Sequence, residues 1–518
     1  MDLTCSIPAG RIGETRARSK GLMAWLVPDV ALVVSLLTLV WCLLFFDGTR
    51  QLFRDSDAGW HIRTGEAILT GSGLPRVDSY SMLRAGQPWF AWEWGADVLM
   101  GGIHLLGGPA FVAGLYAAAI AACTWIWFRL TWAVGGNFLI ASALAIPLLT
   151  TGNIHWHARP HVFSWLFILG AVWYAERERR SLLVVAIASA LWANIHASFF
   201  LGAAVASTYA IGHFVRPLIW DTQPAHRDAR WFLYAAMVSL GATLINPYGW
   251  QLHTHVAAYL TNKELLDRVG EFQSFNFHSE GAVQILLMFG VACVGAVAAL
   301  AQRRIAHALL IAMFAAMALR SARVLPVLAL VALPLANGAI TAALRTARGL
   351  QPRVRAWLDG FLQYGDNLRS LDRRFSGLAT VPVVLAITFA ILSLPAVAAR
   401  AGFPPETFPA EAAERVPAHA RLLAPDMYGG YLIYRFNGQR KVYFDGRSDF
   451  YGADYMKDYL KLVEVRPGWR EQLDRARFTH ALLPNRYSLI PALEALGWTR
   501  LYSDGVATVL EAPRTRKD

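Results

Sequence analysis

The sequence predicts a mainly α-helical, polytopic membrane protein with a small α/β domain at its C-terminal end. Three observations lead to this prediction. The mean hydropathy is +0.36 and only 16% of the 518 residues are charged, a balance typical of membrane proteins. Apolar stretches of spanning length recur along the chain. After residue 397 they give way to alternating short strands and helices.

The apolar stretches predict about 11 transmembrane helices. They cover residues 27–46, 108–128, 136–152, 160–175, 181–198, 200–216, 231–246, 282–301, 305–319, 324–342 and 378–396. Several are short, which implies tilting or packing against neighbours. The first is too long for a cleaved signal peptide, and no cleavage site of small residues follows it, so we expect an uncleaved span.

The bias of Arg and Lys in the loops predicts the orientation in a bacterial inner membrane. With the N-terminus inside, the cytoplasmic loops carry 20 Lys and Arg residues, and the opposite loops carry 10. This topology accounts for much of the net charge of +12, and we find no nucleic-acid-binding module. The four cysteines, Cys5, Cys42, Cys123 and Cys293, all precede the C-terminal domain, so no disulfide is expected there.

The predicted domain organisation has four parts. They are a cytoplasmic tail (1–26), a transmembrane domain (27–397), a linker (398–420) and an extracytoplasmic α/β domain (421–518). Within the transmembrane domain, the first outer loop (47–107) contains two predicted helices, Trp60–Leu69 and Trp89–Leu106. We expect tryptophans to anchor these helices along the membrane surface.

The C-terminal domain shows alternating strand and helix patterns. Strands are predicted at Tyr431–Phe436, Lys441–Phe444 and His480–Leu483, around Leu501, and at Val506–Leu510. Helices are predicted near Tyr455–Val463, Trp469–Ala476 and Leu489–Leu496. With about 100 residues, the C-terminal domain is large enough to form a modest hydrophobic core of its own.

Two acidic residues follow the first apolar stretch. Asp55 and Asp57 belong to the run Arg54-Asp55-Ser56-Asp57-Ala58-Gly59-Trp60-His61. Charges at a membrane surface are costly to desolvate, so such a cluster indicates a functional site. One carboxylate is suited to take a proton from an acceptor hydroxyl, and the pair is suited to hold Mg²⁺ or Mn²⁺. A structural role stays open, because Asp-x-Asp is common by chance.

Further polar side chains are predicted on the same side of the membrane. The candidates for binding substrate or phosphate are His61, Arg63, Glu93, His157, Arg159, His196, Tyr248, Arg320 and Arg323. Arginines bind phosphate through charge-assisted hydrogen bonds. Arg320 and Arg323 are also typical of arginines at the end of a span. Tyr248 lies in an Asn-Pro-Tyr-Gly run that is also typical of a helix end.

These motifs resemble those of the GT-C superfamily of integral membrane glycosyltransferases. Members have many spans and a long first outer loop with one or two essential acids, often spaced as Asp-x-Asp; the matching residues here are Asp55 and Asp57. Other runs are similar to those of a broad set of bacterial membrane proteins. They are Asp57-x-x-Trp60-His61, Pro75-x-x-Asp78-x-Tyr80-Ser81, Trp89-x-x-x-Glu93-Trp94, Arg159-Pro160-His161, Trp192-x-Asn194-x-His196 and Phe444-Asp445-Gly446-Arg447.

The resemblance implies a GT-C-like fold and transfer of a sugar from a polyprenyl-phosphate-linked donor to an extracytoplasmic glycan, lipid or protein. We expect Asp55 to act as the acceptor-side base and Asp57 as its partner or metal ligand. The chain lacks the Trp-Trp-Asp-Tyr-Gly run of oligosaccharyltransferase catalytic subunits, which argues against transfer of whole oligosaccharides to protein. A transporter or flippase of a lipid-linked sugar and a non-catalytic envelope scaffold remain alternatives.

Overall fold

The computed structural model describes residues 22–45, 47–220 and 226–513, and most of them are helical. They form a helical bundle, a first loop folded at one end of it, and a C-terminal domain that packs on this loop. Most of the predicted N-terminal tail, and Cys5 with it, lies outside the described residues. Cys42, Cys123 and Cys293 are free thiols.

A helix lies at each of the apolar stretches predicted from the sequence. These helices are Val30–Leu44, Trp94–Ala133, Phe138–Gly152, His161–Ala175, Leu182–Ile195, Phe200–Trp220, His226–Ala242, Ala282–Ala301, Ile305–Arg320, Leu325–Thr346 and Thr380–Leu392. Within the described residues, six helices are long and apolar enough to cross a membrane, and four more are apolar but shorter. The mainly helical prediction is confirmed, and the number of eleven spans stays a prediction.

Helix ends in the bundle follow local sequence signals. Asp29 caps the helix Val30–Leu44 by accepting a hydrogen bond of 2.9 Å from the backbone nitrogen of Leu32. Inside Trp94–Ala133, the run Gly107-Gly108-Pro109 interrupts the helical backbone, with φ of +62° at the second glycine. A kink therefore separates the part of this helix that belongs to the first loop from its apolar part.

The helix Leu325–Thr346 forms the centre of the bundle. It packs against Trp94–Ala133, Phe138–Gly152, Ala282–Ala301 and Ile305–Arg320. Small residues permit close approach, since a Cβ added at Gly295 would lie 2.2 Å from the Cβ of Ala336. The buried side chain of Asn337 accepts a hydrogen bond of 3.0 Å from the backbone nitrogen of Asn137. These contacts hold the helix Leu325–Thr346 tightly against its neighbours.

The first loop is held between the bundle and the C-terminal domain. Its helix Asp57–Ala67, called the first-loop helix below, has glycines on two faces. A Cβ added at Gly65 would lie 1.7 Å from the backbone oxygen of Asp97, and one added at Gly59 would lie 2.1 Å from that of Gly430. The helix therefore contacts backbone on both sides, where only glycine leaves enough space.

Two tryptophans of the first loop lie inside the protein. Trp60 and Trp89 are 5% and 4% exposed, and they belong to the core cluster of the C-terminal domain. The expectation that they anchor helices in the membrane surface is therefore wrong, because the C-terminal domain covers them. The second predicted helix begins only at Trp94, where it continues into the bundle.

The C-terminal domain contains a four-stranded sheet. In spatial order its strands are Leu422–Leu423, His480–Pro484, Ala507–Glu511 and Thr499–Ser503. The first pair is parallel and the other two are antiparallel. Its longer helices are Ser448–Val463, Trp469–Ala476 and Leu489–Glu494. The last three predicted strands and all three predicted helices are confirmed, with differences of at most seven residues at their ends.

The prediction of a strand at Tyr431–Phe436 is wrong. These residues end the helix Asp426–Arg435, called the domain helix below, in which the six consecutive residues 428–433 are all buried. The segment Lys441–Phe444 forms only an isolated bridge between Ser81 and Val442. The sequence pattern was misread because short apolar runs do not distinguish strands from buried helices.

The stretch predicted as a linker packs onto the C-terminal domain. Phe408, Ala412, Ala413 and Val416 are buried in the core of that domain. The other α-helices among the described residues are short or lie beside the bundle. They are Leu22–Leu26, Trp250–Thr261, Lys263–Leu266, Pro352–Asp372, Pro395–Ala398 and Ala410–Glu414.

Candidate active site

A cavity of about 550 Å³ lies where the first loop, several helix ends of the bundle and the C-terminal domain meet. Charged and polar side chains form one part of its wall. Aromatic and aliphatic side chains form another part, among them Trp165, Phe200, Leu260, Phe314, Met317 and Val327. A few polar groups converging on an apolar wall are typical of a binding site.

Arg159 lies at the centre of the polar wall and bridges three carboxylates. Its guanidinium nitrogens are 2.7 Å from Asp55, 2.9 Å from Asp57 and 2.8 Å from Glu271. The Arg159 side chain is only 14% exposed, so salt screens these contacts weakly. One arginine is thus the shared counter-ion of acids from two separate loops.

The acids of the Asp-x-Asp pair differ in environment. Asp55 accepts one hydrogen bond of 2.9 Å from the backbone nitrogen of Asp57 and one of 2.7 Å from Arg159. Burial disfavours its charged form, but Arg159 and His157 outweigh burial and lower the pKa of Asp55. A Cβ added at Gly446 of the C-terminal domain would lie 2.0 Å from Oδ1 of Asp57. Burial and the charge of Asp55 outweigh Arg159 here, and they raise the pKa of Asp57 to about 8.

Glu271 joins the site from the loop between Trp250–Thr261 and Ala282–Ala301. Besides Arg159, it pairs with Arg323 at 3.1 Å. Burial opposes its ionisation, yet the two guanidinium groups outweigh burial and lower the pKa of Glu271. The sequence analysis missed this residue, because nothing in its neighbourhood distinguishes it from the other acids of the loop. Only the fold brings it to Arg159.

Another carboxylate, Glu93, faces the cavity between two histidines. Nε2 of His196 is 3.4 Å from one of its oxygens, and Nε2 of His61 is 3.7 Å from the other. His61 is fully buried behind Glu93, and its Nδ1 contacts Asp97 at 2.6 Å. Burial raises the pKa of Glu93 to about 7 and holds the pKa of His61 well below its usual value. The sequence analysis did not single out Asp97.

The C-terminal domain closes one side of the cavity through Asp445-Gly446-Arg447. The buried Arg447 donates two hydrogen bonds to Asp445, of 2.8 and 2.7 Å, and one of 2.7 Å to Asp78 of the first loop. Its guanidinium also lies 4.7 Å from the ring centre of Trp89. These contacts hold Gly446 against Asp57, so the C-terminal domain shapes the site directly.

The structure brings most of the predicted site residues together. Seven of them lie on the cavity wall: Asp55, Asp57, Glu93, His157, Arg159, His196 and Arg323. His61 lies in the layer behind the wall, in the contacts given above. The wall also includes Asp426 and Asp449 of the C-terminal domain, which the sequence analysis did not list as site residues.

Three predicted site residues lie away from the cavity wall. Arg63 donates hydrogen bonds of 3.0 and 2.8 Å to the backbone oxygen of Tyr434, which ties the first-loop helix to the domain helix. The hydroxyl of Tyr248 accepts a hydrogen bond of 2.9 Å from the backbone nitrogen of Ala91. Arg320 is exposed at the end of its helix.

Carboxylate oxygens such as those of Asp55 and Asp57 are ligands that Mg²⁺ and Mn²⁺ prefer, but the arrangement of the two side chains does not fit a cation. Arg159 is within ion-pair distance of both carboxylates, and Gly446 packs against Asp57. Among the residues that the structure describes, no three His, Cys, Asp or Glu side chains are grouped to hold a metal ion. A guanidinium occupies the position that the metal hypothesis gives to a cation.

No protein-family model and no curated protein matches the chain. Its fold does match solved structures of the Archaeoglobus fulgidus oligosaccharyltransferase. The structure tethered to an acceptor peptide with an Asn-Val-Thr sequon has a TM-score of 0.56 at 13% identity, covering 88% of this chain and 68% of that one. The structure of the archaeal oligosaccharyltransferase AglB from the same organism, in complex with an inhibitory peptide and a dolichol-phosphate, has a TM-score of 0.55 at 12% identity, covering 93% of this chain and 74% of that one.

A third structure of the archaeal enzyme, a complex with zinc and sulfate, has a TM-score of 0.52 at 12% identity, covering 88% of this chain and 68% of that one. At identity this low, the structural match shows a shared fold only, and a fold alone does not establish an activity. The matches extend over most of the chain. The chain therefore has the GT-C fold, the fold of the integral membrane glycosyltransferases that its first-loop motifs resemble.

Proposed function

We propose that this chain is a membrane glycosyltransferase that moves a sugar from a polyprenyl-phosphate-linked donor to an acceptor outside a bacterial cytoplasmic membrane. The observation that carries this proposal is the meeting of three acids around Arg159 in a cavity that also has an apolar part to its wall. A polar centre beside an apolar wall suits a sugar phosphate joined to a lipid chain. One of the matching structures holds a dolichol-phosphate, which supports this donor class.

We assign the acceptor-side base to Asp57 and the anchoring of Arg159 to Asp55, the reverse of the expectation from the sequence. Both oxygens of Asp55 accept hydrogen bonds. Burial and Asp55 raise the pKa of Asp57 to about 8, whereas Arg159 and His157 lower that of Asp55. The carboxylate with the higher pKa is the stronger base near neutral pH. Asp57 is therefore the better proton acceptor.

We assign the donor phosphate to Arg323. Its side chain lies on the cavity wall and is 25% exposed, and its ion pair with Glu271 engages Nη1. A guanidinium has five N–H donors in a planar fork, which suits phosphate oxygens. Arg320, which the sequence analysis grouped with it, is not assigned a role because it lies away from the cavity wall.

The reaction then proceeds by inversion in one displacement. An acceptor hydroxyl loses its proton to the Asp57 carboxylate while its oxygen bonds to the anomeric carbon of the sugar. The bond between that carbon and the phosphate oxygen breaks, and the lipid phosphate leaves with the bonding electron pair. Arg323 stabilises the negative charge that develops on the leaving phosphate.

The acceptor is a glycan, a lipid or a protein, and it reaches the cavity from the side of the C-terminal domain. In this proposal the N-terminus is cytoplasmic and the C-terminal domain lies outside, as the distribution of Arg and Lys between the loops supports. Asp426 and Asp449, which that domain adds to the wall, are suited to hydrogen-bond acceptor hydroxyls.

Purified protein in liposomes tests the proposal with a panel of radiolabelled polyprenyl-phosphate sugars and envelope extracts as acceptors. We expect transfer of label by the wild-type protein and none by Asp57→Asn, with an unchanged elution profile showing that the variant is folded. Movement of labelled lipid between leaflets without transfer would instead identify a flippase. Binding of envelope partners without either activity would identify a scaffold.

A further inference from the structure

We propose that the helix Pro352–Asp372 lies along the membrane surface and binds anionic phospholipid. Apolar side chains of the helix insert between the acyl chains of the lipid, and arginines around it contact the head groups. The helix, called the surface helix below, lies between the bundle helices Leu325–Thr346 and Thr380–Leu392. None of its residues lines the cavity, so this proposal is independent of the proposed function.

One face of the surface helix is fixed to the bundle. A Cβ added at Gly365 would lie 2.3 Å from Nδ2 of Asn137. At the end of the helix, the backbone nitrogen of Val30 donates a hydrogen bond of 2.7 Å to Asp372. Asn137 and Val30 lie at the starts of two apolar helices of the bundle. Because the ends of membrane-spanning helices lie near the membrane surface, these contacts place the surface helix there too.

A second face of the surface helix is apolar but exposed. The exposed fractions are 47% for Val354, 70% for Trp357, 57% for Tyr364 and 49% for Leu371. The ring of Phe361 stacks on that of Trp357, with 5.8 Å between the ring centres. Spacings of three and four residues place these side chains on one face of the helix. This exposed stripe consists of Val354, Trp357, Phe361, Tyr364, Leu368 and Leu371.

The exposed stripe is separate from the residues that pack on the bundle. Leu358, Leu362 and Gly365 are buried, and each follows a member of the exposed stripe by one position. A helix that only covered the bundle would need a single apolar stripe. The exposed stripe is therefore not needed for packing inside the described part of the chain. A continuous apolar patch of this kind marks a surface that contacts a partner or lipid.

Positive charge surrounds the surface helix. Residues 343–377 contain seven arginines and three aspartates, a net charge of +4. Each aspartate pairs with an arginine of the same segment; the pairs are Asp366 with Arg345, Asp359 with Arg355 and Asp372 with Arg369. The other four arginines are exposed; they are Arg348, Arg353, Arg373 and Arg374. An arginine beside an anionic membrane surface strengthens binding by about fivefold.

Anionic phospholipid matches both the exposed stripe and the charge. Trp and Tyr are typical of the membrane interface, where the ring contacts acyl chains and its polar group reaches water. A second copy of the chain would bring excess arginines against each other. Residues 1–21, which lie outside the described residues, contain four basic and two acidic residues, so their charge has the same sign as that of the surface helix. Charge therefore favours lipid over both protein occupants.

Fluorescence of the full chain in nanodiscs tests the contact with acyl chains. Trp357→Phe keeps an aromatic ring at an exposed position, so the emission that it removes reports on Trp357. We expect phospholipid brominated in its acyl chains to quench this emission, and acrylamide in the water to quench it little. Quenching by acrylamide alone overturns the proposal, because Trp357 then faces water. Quenching by neither agent also overturns it, because residues 1–21 or a second copy then cover the stripe.

Lipid retention tests the recognition of the head group. The full chain is extracted from nanodiscs that hold equal amounts of phosphatidylglycerol and phosphatidylcholine, and mass spectrometry measures the retained lipids. We expect an excess of phosphatidylglycerol that decreases when salt is raised. The combined variant Arg348→Gln, Arg353→Gln and Arg373→Gln should lower this excess by at least about fivefold, the effect of one arginine beside an anionic surface.

The matched control removes the same number of charges from the C-terminal domain. Arg466→Gln, Arg470→Gln and Arg475→Gln change exposed arginines of that domain, and the combined variant should keep the wild-type excess of phosphatidylglycerol. Equal retention of the two lipids by the wild type, or an equal loss in both combined variants, overturns the proposal. Neither measurement uses a sugar donor, so failure of sugar transfer and failure of lipid binding are distinguished.

Discussion

Arg447 and Asp78 form an ion pair of 2.7 Å that joins the C-terminal domain to the first loop, and their side chains are 1% and 0% exposed. A second carboxylate, Asp445, and the ring of Trp89 also lie against the guanidinium. Neither partner contacts solvent, so removal of one leaves a buried charge that is incompletely paired. The same segment sets Gly446 against the site. Domain packing and site geometry therefore depend on one cluster.

Replacement of Asp78 by Asn should lower the free energy of unfolding by about 3 kcal/mol, because Arg447 loses a buried counter-ion. Thermal denaturation in detergent measures the change, and trypsin cleavage near the domain boundary reports loosened packing. Glu414→Gln is the control: its pair with Arg435 is 52% and 47% exposed, so its loss should cost less than about 1 kcal/mol. Equal effects of the two changes would contradict a special role for the buried cluster.

Gly446→Ala should disable the site with little loss of stability. A Cβ at this position would lie 2.0 Å from Oδ1 of Asp57, so the carboxylate must move. A displacement of a catalytic group by about 1 Å costs on the order of 100-fold in rate. Sugar transfer and the melting temperature are measured in parallel. Gly505→Ala is the control in the same domain, because an added Cβ there meets nothing within 4 Å; similar activity of both variants would contradict the prediction.

Much of the fold followed from the sequence, because helices in apolar surroundings show long hydrophobic runs. The first-loop helix was also predicted within three residues at its start, since its polar and apolar residues alternate with helical period. The domain helix was misread as a strand. It is short, and its apolar residues are buried by the first loop as well as by the domain core, so its pattern is not that of a one-sided helix.

Part of the site was also predicted from the sequence, because some of its residues stand out from the apolar chain. Asp55, Asp57 and Arg159 lie in compact polar runs beside span ends, and such runs are conspicuous in an apolar chain. Glu271 and Asp97 carry no such signal. One lies among other charges of a long loop, and the other is a single acid in an apolar helix. Their importance comes from distances of 2.8 Å to Arg159 and 2.6 Å to His61, which only the tertiary fold creates.

Asp57→Asn should stabilise the protein increasingly as the pH rises. The pKa of Asp57 is raised from 3.8 to about 8 on folding, so its favourable contribution is complete below about 4 and is lost as the pH rises through 8. The difference in melting temperature between variant and wild type should therefore grow from pH 4 to pH 8 and then level off.

Asp55→Asn is the matched comparison with the opposite sign. Folding lowers the pKa of Asp55 below 3.8, so this residue contributes stability above that value and loses the contribution as the pH falls. At neutral pH this variant should therefore melt below the wild type, while Asp57→Asn melts above it. Equal shifts in one direction would show that the two acids do not differ in environment.

Sugar transfer should persist after the protein is treated with EDTA, because Arg159 already neutralises Asp55, Asp57 and Glu271. Arg159→Lys keeps one positive charge but replaces the planar fork with a point charge that does not span three carboxylates. We expect this variant to lose transfer and to remain inactive when Mg²⁺ or Mn²⁺ is added. Loss of wild-type transfer in EDTA and its return with either cation would contradict the prediction and show that transfer needs a bound metal.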